Sequence, residues 1–176
     1  MKRTLLSLIF ILISTTAVAK VEVAFFPGQN KKERKNQFEE GGMFLHSAIS
    51  FRGQWLNANP YNGVILSPNL KSIGKRPTVL SHELYTEPDN NYVMQRIGRP
   101  FDIFSPWDSC DSFNCSQVVA QWFGIPPQPM DFDTEFWAEF ENLPVGEPGL
   151  SPDEIFLALK ELGFKKVSNC DIRLRN

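Results

Sequence analysis

The sequence contains few of the residues from which metal centres and disulfide frameworks are built. Its 176 residues include three cysteines and two histidines, and no pair of cysteines has the Cys-x-x-Cys spacing. A structural zinc site takes four cysteine or histidine ligands, usually from such closely spaced pairs. We therefore predict no metal site and no cofactor. The sequence also has no internal repeat and no low-complexity linker, which favours a single domain.

Basic residues are not in excess either. The chain has 18 lysine and arginine residues against 20 aspartate and glutamate residues, a formal net charge of −2 at pH 7. A surface that binds nucleic acid requires clustered basic side chains that neutralise phosphates. We therefore exclude nucleic acid from the expected partners.

The one long apolar run lies at the N terminus. The chain begins with "MKR", continues with an apolar run from Leu5 to Ile13, and reaches the small-residue site "AVA" at Ala19. This is the layout of a secretory signal peptide, and the run is short for a membrane span. We predict a signal peptide over residues 1–19 and one monomeric domain over 20–176, periplasmic or secreted and without an integral membrane segment. An uncleaved N-terminal anchor is the alternative.

Apolar runs separated by glycine, proline and asparagine predict a strand-rich first half of the domain. Strands are predicted over residues 21–26, 44–51, 54–58, 63–66, 78–84, 92–97 and 164–168. Apolar residues at helical spacing predict helices over residues 115–123, 131–143 and 151–163. The predicted fold class is therefore α+β.

One cysteine stands at the start of a predicted helix. In "DSFNCSQVVAQW", Cys115 lies where a polar, turn-forming run gives way to an apolar one. A thiol at that junction meets the positive end of the helix dipole, which stabilises a thiolate. The pattern leaves three roles open for Cys115, namely nucleophile, half of a disulfide, or core residue.

A nucleophilic cysteine requires a general base, and the chain offers two histidines. His82 lies in the polar segment "SHELYTEP", which is typical of a surface residue. His46 lies in the first strand of a hairpin predicted to turn at residues 52–53. With the residues flanking that turn paired, His46 lies opposite Asn59 and diagonal to Asn57, and all three share one face. An amide oxygen there can hold the imidazole in the tautomer that a thiol requires.

Three stretches resemble blocks of the circularly permuted NlpC-like papain-fold cysteine hydrolases: "FLHSAISFRGQWLNANPYNGV", "IGRPFDIFSPWD…FNCSQVVAQWFG" and "LSPDEIF". Together they span roughly residues 44 to 164. The resemblance implies that Cys115 is the nucleophile, His46 the base and Asn57 the polar third member. It also implies an antiparallel sheet packed against a helix that carries the cysteine at its N-terminus. Two features depart from the family: an amide replaces the commoner glutamate or histidine, and "GGMF" stands where the family has a "G-D" opening before the first strand. Within the matching motif "GRPFD", Phe101 also replaces a tyrosine.

The family includes cell-wall peptidases and amidases, and also acyltransferases and esterases related to lecithin:retinol acyltransferase. The resemblance thus implies an exported thiol hydrolase that cleaves an amide or ester bond in a cell-envelope peptide or lipid. The alternatives are a catalytically inactive binding module on the same fold and a lipid-directed acyltransferase or esterase. A disulfide-stapled structural protein, with Cys115 bonded to Cys110, is a further alternative.

Other residues are candidates for supporting roles. Asn59 and Asp102 lie in the blocks just quoted, and Gln117 is either a second donor to an oxyanion or an exposed helix residue. If Cys115 stays free, Cys110 and Cys170 are the remaining candidates for a disulfide. The alternative is that both of these thiols are free.

Overall fold

The structure is a computed structural model, and it describes residues 20–28, 42–132, 137, 143–168 and 171–172. In these ranges the elements follow in the order β1 (Val21–Phe26), β2 (His46–Phe51), β3 (Gln54–Asn59), β4 (Gly63–Ser67), β5 (Thr78–His82), α1 (Asn90–Arg96), α2 (Cys115–Phe123), β6 (Gln128–Pro129), β7 (Pro148–Gly149), α3 (Pro152–Glu161) and β8 (Lys165–Lys166). No helix in these ranges combines the length and the apolar character that a membrane crossing requires. The predicted signal peptide lies outside the described residues.

A six-stranded antiparallel sheet organises the domain. Its strands run in the order β4-β3-β2-β1-β5-β8, and β6 pairs with β7 separately. Every residue of β1 is buried. Val23 and Phe25 belong to the main core cluster, whereas Ala24 and Phe26 belong to a second, smaller cluster. Because successive strand residues point to opposite faces, the sheet has an apolar cluster on each face.

Two helices cover the face that carries the main cluster. Helix α2 packs against β2 and β3, and α3 packs against α2. The buried residues Val118 and Val119 of α2 meet Ile155 and Leu159 of α3 in that cluster. The predicted fold class is confirmed: the fold is α+β and permuted papain-like, with an antiparallel sheet packed against a helix that begins at the cysteine.

The hairpin between β2 and β3 has the predicted turn and register. Arg52 and Gly53 have φ angles of 50° and 77°, and two central residues with positive φ are the requirement of a type I′ turn. Phe51 pairs with Gln54, and the same register continues to Ile49 opposite Leu56. The predicted two-residue turn is therefore confirmed, although an arginine occupies a position that asparagine or glycine usually takes.

Helix α3 also begins as its sequence predicts. The Ser151 hydroxyl accepts a hydrogen bond from the Glu154 backbone N–H at 3.1 Å, and the Glu154 carboxylate accepts one from the Ser151 N–H at 2.7 Å. This reciprocal pair is a capping box, with Pro152 at the first helical position. The signals that begin a helix are local, which explains why they are read correctly from sequence.

Other predicted elements differ from the structure. Residues 92–97 were predicted as a strand, but they fall mainly in helix α1. Asp89 caps that helix by accepting the Tyr92 N–H at 2.7 Å, and the guanidinium of Arg96 stacks 3.5 Å from the centre of the Tyr92 ring one turn earlier. The prediction was wrong because so short an apolar run fits both periods. Most of the predicted helix over 131–143 lies outside the described residues.

Candidate active site

Cys115 is the first residue of α2, and its backbone is held by a capping box. The side chain of Asn114 accepts a hydrogen bond from the Gln117 N–H at 2.9 Å, and Oε1 of Gln117 accepts one from the Asn114 N–H at 2.8 Å. These bonds satisfy two donors that a helix start leaves without intrahelical partners. Cys115 is only 5% exposed, and its thiol is free. The helix start thus presents a buried, unoxidised thiol.

His46 meets this thiol from the first position of β2. The imidazole is close enough to the thiol to lower its pKa by its charge and by hydrogen bonding. Among the described residues, the buried Nε2 of His46 has no hydrogen-bond partner. The Phe26 ring lies 5.8 Å from the imidazole, centre to centre, and packs beside it. The structure thus brings together the two residues that the sequence predicts as nucleophile and base.

The surroundings of Cys115 favour the thiolate. Burial raises the pKa of the thiol, but the charge of His46 and hydrogen bonds from His46 and Ser47 lower it by more. The net result is that the pKa of Cys115 lies below its ordinary value. A thiolate, rather than a thiol, is the species that attacks a carbonyl carbon.

Ser47 is a site residue that the sequence reasoning missed. It is fully buried, its hydroxyl donates to the Cys115 carbonyl oxygen at 3.2 Å, and its hydroxyl and backbone N–H both interact with the thiol. Ser47 directly follows His46 in β2, and both residues act on the Cys115 thiol. The motif "HS" was the only available signal, and it is too short to indicate contact with a helix 68 residues away along the chain.

The predicted third member, Asn57, lies near the pair but is not bonded to the histidine. It is 1% exposed, and its Nδ2 donates to the Trp55 carbonyl at 3.2 Å and to Oγ of Ser67 at 2.9 Å. Asn59 donates weakly to Oδ1 of Asn57, at 3.5 Å. The structure brings His46, Asn57 and Asn59 to one cavity, and the hydrogen bond that completes a triad is not formed.

The structure contradicts both predicted roles of Gln117. It is 0% exposed, and its Nε2 donates to the Pro106 carbonyl at 2.6 Å and to the Ser105 carbonyl at 3.4 Å. Because its Oε1 accepts the Asn114 N–H, both ends of the amide are engaged by the protein. Gln117 is therefore neither an exposed helix residue nor a donor free for an oxyanion. It ties the preceding loop to the start of α2.

Two more candidate site residues, Asp102 and His82, do not line the cavity that contains Cys115. Asp102 is exposed and does not line the cavity, and its carboxylate accepts the Phe104 N–H at 3.0 Å. Nδ1 of His82 accepts the Leu84 N–H at 3.0 Å, and its ring packs against Tyr85. His82 is therefore not positioned to serve Cys115.

The other thiols bear on the disulfide predictions. Cys110 is exposed, and within the described residues it is free, as is Cys115. The alternative of a bridge between these two is therefore contradicted. Cys170 lies outside the described residues, so its pairing with Cys110 stays a prediction.

A cavity of about 630 Å³ opens beside the thiol. Its wall is mostly apolar and includes Phe26, Leu45, Ile65, Ile73, Phe101, Ile103, Met130, Phe132, Trp137 and Leu150. Cys115 and His46 line it, and its other ionisable residues are Tyr61, Asp131 and Glu154. In the described ranges, no group of three or more histidine, cysteine, aspartate or glutamate residues is placed to hold a metal ion.

Comparison with known proteins bears on the fold. No protein-family model matches the chain, and no curated protein is significantly similar to it. The crystal structure of the metalloprotein YiiX from Escherichia coli O157:H7 (DUF1105) is similar, with a TM-score of 0.61 and 17% sequence identity. The match covers 86% of this chain and 97% of YiiX. At this identity the likeness shows a shared fold alone, so membership of the NlpC-like hydrolases stays a prediction.

Proposed function

We propose that the protein is an exported thiol hydrolase in which Cys115 is the nucleophile and His46 the general base and acid. The observation that carries the proposal is that His46 and Cys115 line one cavity, with Cys115 at a helix N-terminus and its pKa lowered by His46. Nucleophilic catalysis by cysteine needs this combination of a lowered pKa, an adjacent base and access for a substrate.

The reaction follows from the positions of these groups. The Cys115 thiolate forms a bond to the substrate carbonyl carbon, and the π electrons of the carbonyl move onto its oxygen. The backbone N–H of Cys115, at the first helical position and without an intrahelical acceptor, stabilises that oxyanion. When the intermediate collapses, the bond to the leaving nitrogen or oxygen breaks, and the His46 imidazolium gives the leaving group its proton.

The second half of the reaction restores the thiol. Water attacks the thioester carbonyl while His46 accepts a proton from it. Collapse of this second intermediate breaks the carbon–sulfur bond and releases a carboxylic acid. In an acyltransferase, an alcohol or amine would take the place of that water.

The cavity wall bears on the choice of substrate. Its residues are mostly apolar, and none of the described lining residues is lysine or arginine. Such a wall favours a substrate whose acyl side is apolar and disfavours an anionic group close to the thiol. An amide or ester in a cell-envelope peptide or lipid meets this description, and the predicted signal peptide supports that location.

An inactive binding module is the second candidate. It is favoured by one observation, that the buried Nε2 of His46 has no partner among the described residues. An imidazole that is not oriented by a third group is a weaker base.

The test uses the purified protein, an electrophilic carbonyl probe and bacterial envelope material. The expected result is labelling of Cys115 and release of products detected by mass spectrometry, both lost in Cys115→Ala and His46→Ala. His82→Ala is the matched control and is expected to retain activity. An unlabelled, folded and reduced wild-type protein would favour the binding module, and loss only in His82→Ala would mean that His46 is not the base.

A further inference from the structure

The start of α2 leaves two backbone N–H groups beside the cavity. A helix begins with four N–H groups that have no intrahelical acceptor. The capping box engages two of them, those of Asn114 and Gln117. The other two belong to Cys115 and Ser116, and both of these residues line the cavity. The positive end of the helix dipole is therefore directed at the place where a substrate meets the thiol.

The side-chain hydroxyl of Ser116 is a third donor at this helix start. Ser116 is only 4% exposed and lines the cavity, and no described residue makes a hydrogen bond with its hydroxyl. The other serines described in the cavity wall are Ser67, Ser72 and Ser151, and the hydroxyl of each is hydrogen-bonded to a protein group at 2.7 to 3.1 Å. Buried hydroxyls are normally hydrogen-bonded. A buried hydroxyl without a protein partner in the wall of a cavity therefore points to an acceptor on a ligand.

A ligand that reacts with Cys115 brings such an acceptor close to Ser116. Ser116 directly follows Cys115 in the first turn of α2, and a carbonyl carbon attacked by sulfur holds its oxygen about 3 Å from that sulfur. Gln117, which the sequence offers as a second oxyanion donor, has both ends of its amide engaged by the protein. The described cavity wall contains no lysine or arginine either. The neutral donors at the start of α2 are therefore the groups placed to stabilise an oxyanion.

We propose that Ser116 is a catalytic residue, whose hydroxyl donates a hydrogen bond to the substrate carbonyl oxygen as that oxygen becomes negatively charged. This inference rests on the proposed function. The bond between Sγ of Cys115 and the carbonyl carbon forms while the π electrons of the carbonyl move onto its oxygen, and Ser116 keeps its proton throughout. When the intermediate collapses, these electrons return and the leaving group departs with a proton from His46. A hydroxyl rotates to suit its acceptor, so it can follow the oxygen as the carbon becomes tetrahedral.

The experiment uses an aldehyde, which reports on an oxyanion site without requiring hydrolysis. The Cys115 thiol adds to the aldehyde carbon and its proton passes to the oxygen, so a hemithioacetal forms and no leaving group departs. The probe is 3-phenylpropanal labelled with ¹³C at the carbonyl, whose apolar chain suits the apolar wall of the cavity. Nuclear magnetic resonance of the labelled carbon measures the dissociation constant of the adduct. Ser116→Ala is expected to raise this constant about tenfold, through loss of one hydrogen bond, and Cys115→Ala is expected to form no adduct.

Three comparisons separate this role from a general structural effect. Alkylation by iodoacetamide generates no oxyanion, and the groups that lower the pKa of the thiol are His46 and Ser47, so Ser116→Ala is expected to alkylate at the wild-type rate. Ser81→Ala removes a buried serine that does not line the cavity, and it is expected to change neither measurement. Ser116→Thr keeps the hydroxyl and is expected to keep the wild-type dissociation constant. Alanine is a better helix former than serine, so Ser116→Ala is expected to fold, which circular dichroism checks.

The outcomes also separate this inference from the proposed function. Equal dissociation constants of the aldehyde in Ser116→Ala and wild type would overturn the role of Ser116, whether or not the protein hydrolyses a substrate. Slower alkylation in Ser116→Ala would overturn it as well, because the residue would then act on the thiol. A weaker adduct with unchanged alkylation, in a protein that hydrolyses no envelope substrate, would support the donor role and remove the hydrolase. A weaker adduct together with a kcat lowered about 100-fold is the result expected if both hold. A wild-type thiol that alkylates but forms no adduct would overturn both.

Discussion

Replacement of Gln117 by alanine is expected to destabilise the fold and slow the reaction together, because this residue joins the start of α2 to the loop before it. The side chain is 0% exposed. It accepts the Asn114 N–H at 2.8 Å and donates to the Pro106 carbonyl at 2.6 Å, with a weaker contact to the Ser105 carbonyl at 3.4 Å. Alanine removes all three contacts and leaves buried backbone groups without partners.

The magnitude follows from these contacts. Loss of the side-chain half of a capping box costs about 1 kcal/mol. Loss of the strong bond to the Pro106 carbonyl adds about 1–2 kcal/mol, because the carbonyl is left partly buried and unpaired. We therefore expect Gln117→Ala to lower the free energy of unfolding by about 2–3 kcal/mol. Gln95→Ala, on the exposed part of α1, is the matched control and is expected to change it by less than about 0.5 kcal/mol.

A second variant tests the chemistry of the contact through its pH dependence. In Gln117→Glu the new carboxylate would face two carbonyl oxygens in a buried site, which raises its pKa in the folded state. The folded state then binds more protons than the unfolded state, so the stability of this variant falls as pH rises through the carboxyl range. Urea unfolding followed by circular dichroism measures both variants. Equal stabilities of Gln117→Ala and Gln95→Ala, or a pH-independent Gln117→Glu, would refute the reasoning.

Three further results are expected. The lowered pKa of Cys115 predicts that its alkylation by iodoacetamide stays fast below the pH at which an ordinary thiol ionises. In His46→Ala, the inflection of the alkylation rate against pH is expected to move to higher pH, because the effect of burial is then less opposed. Equal inflections in the two proteins would contradict this. Asn114→Ala removes the cap of α2 and should lower the free energy of unfolding, measured with urea, by about 1 kcal/mol. An unchanged free energy of unfolding would contradict a stabilising role for this cap. Gly63→Ala should lower the thermal midpoint and reduce the free energy of unfolding by about 2–4 kcal/mol. The reason is that Gly63 has a φ of 67° and an added Cβ would collide with the Arg99 carbonyl. An unchanged midpoint would show that the loop moves to accept the Cβ.

Local signals in the sequence determined the parts of the site that depend on neighbours in the chain. The turn at residues 52–53 sets the register of β2 and β3, and a one-residue slip would place His46 and Asn57 on opposite faces of the sheet. The polar run before Cys115 caps α2, so the position of the thiol at a helix start is also local information. These features rest on dihedral preferences and hydrogen bonds over a few residues, which is why sequence reasoning recovered them.

Only the tertiary structure decided what those residues contact. The burial of Gln117 depends on a loop that precedes it by more than ten residues, and the contact of Ser47 with Cys115 depends on how α2 lies on the sheet. The side chain of Asn57 is hydrogen-bonded to Ser67 on the next strand. Hydrogen bonds between distant segments depend on how whole elements pack, and that packing is a sum of many small contacts that leaves no local pattern in the sequence.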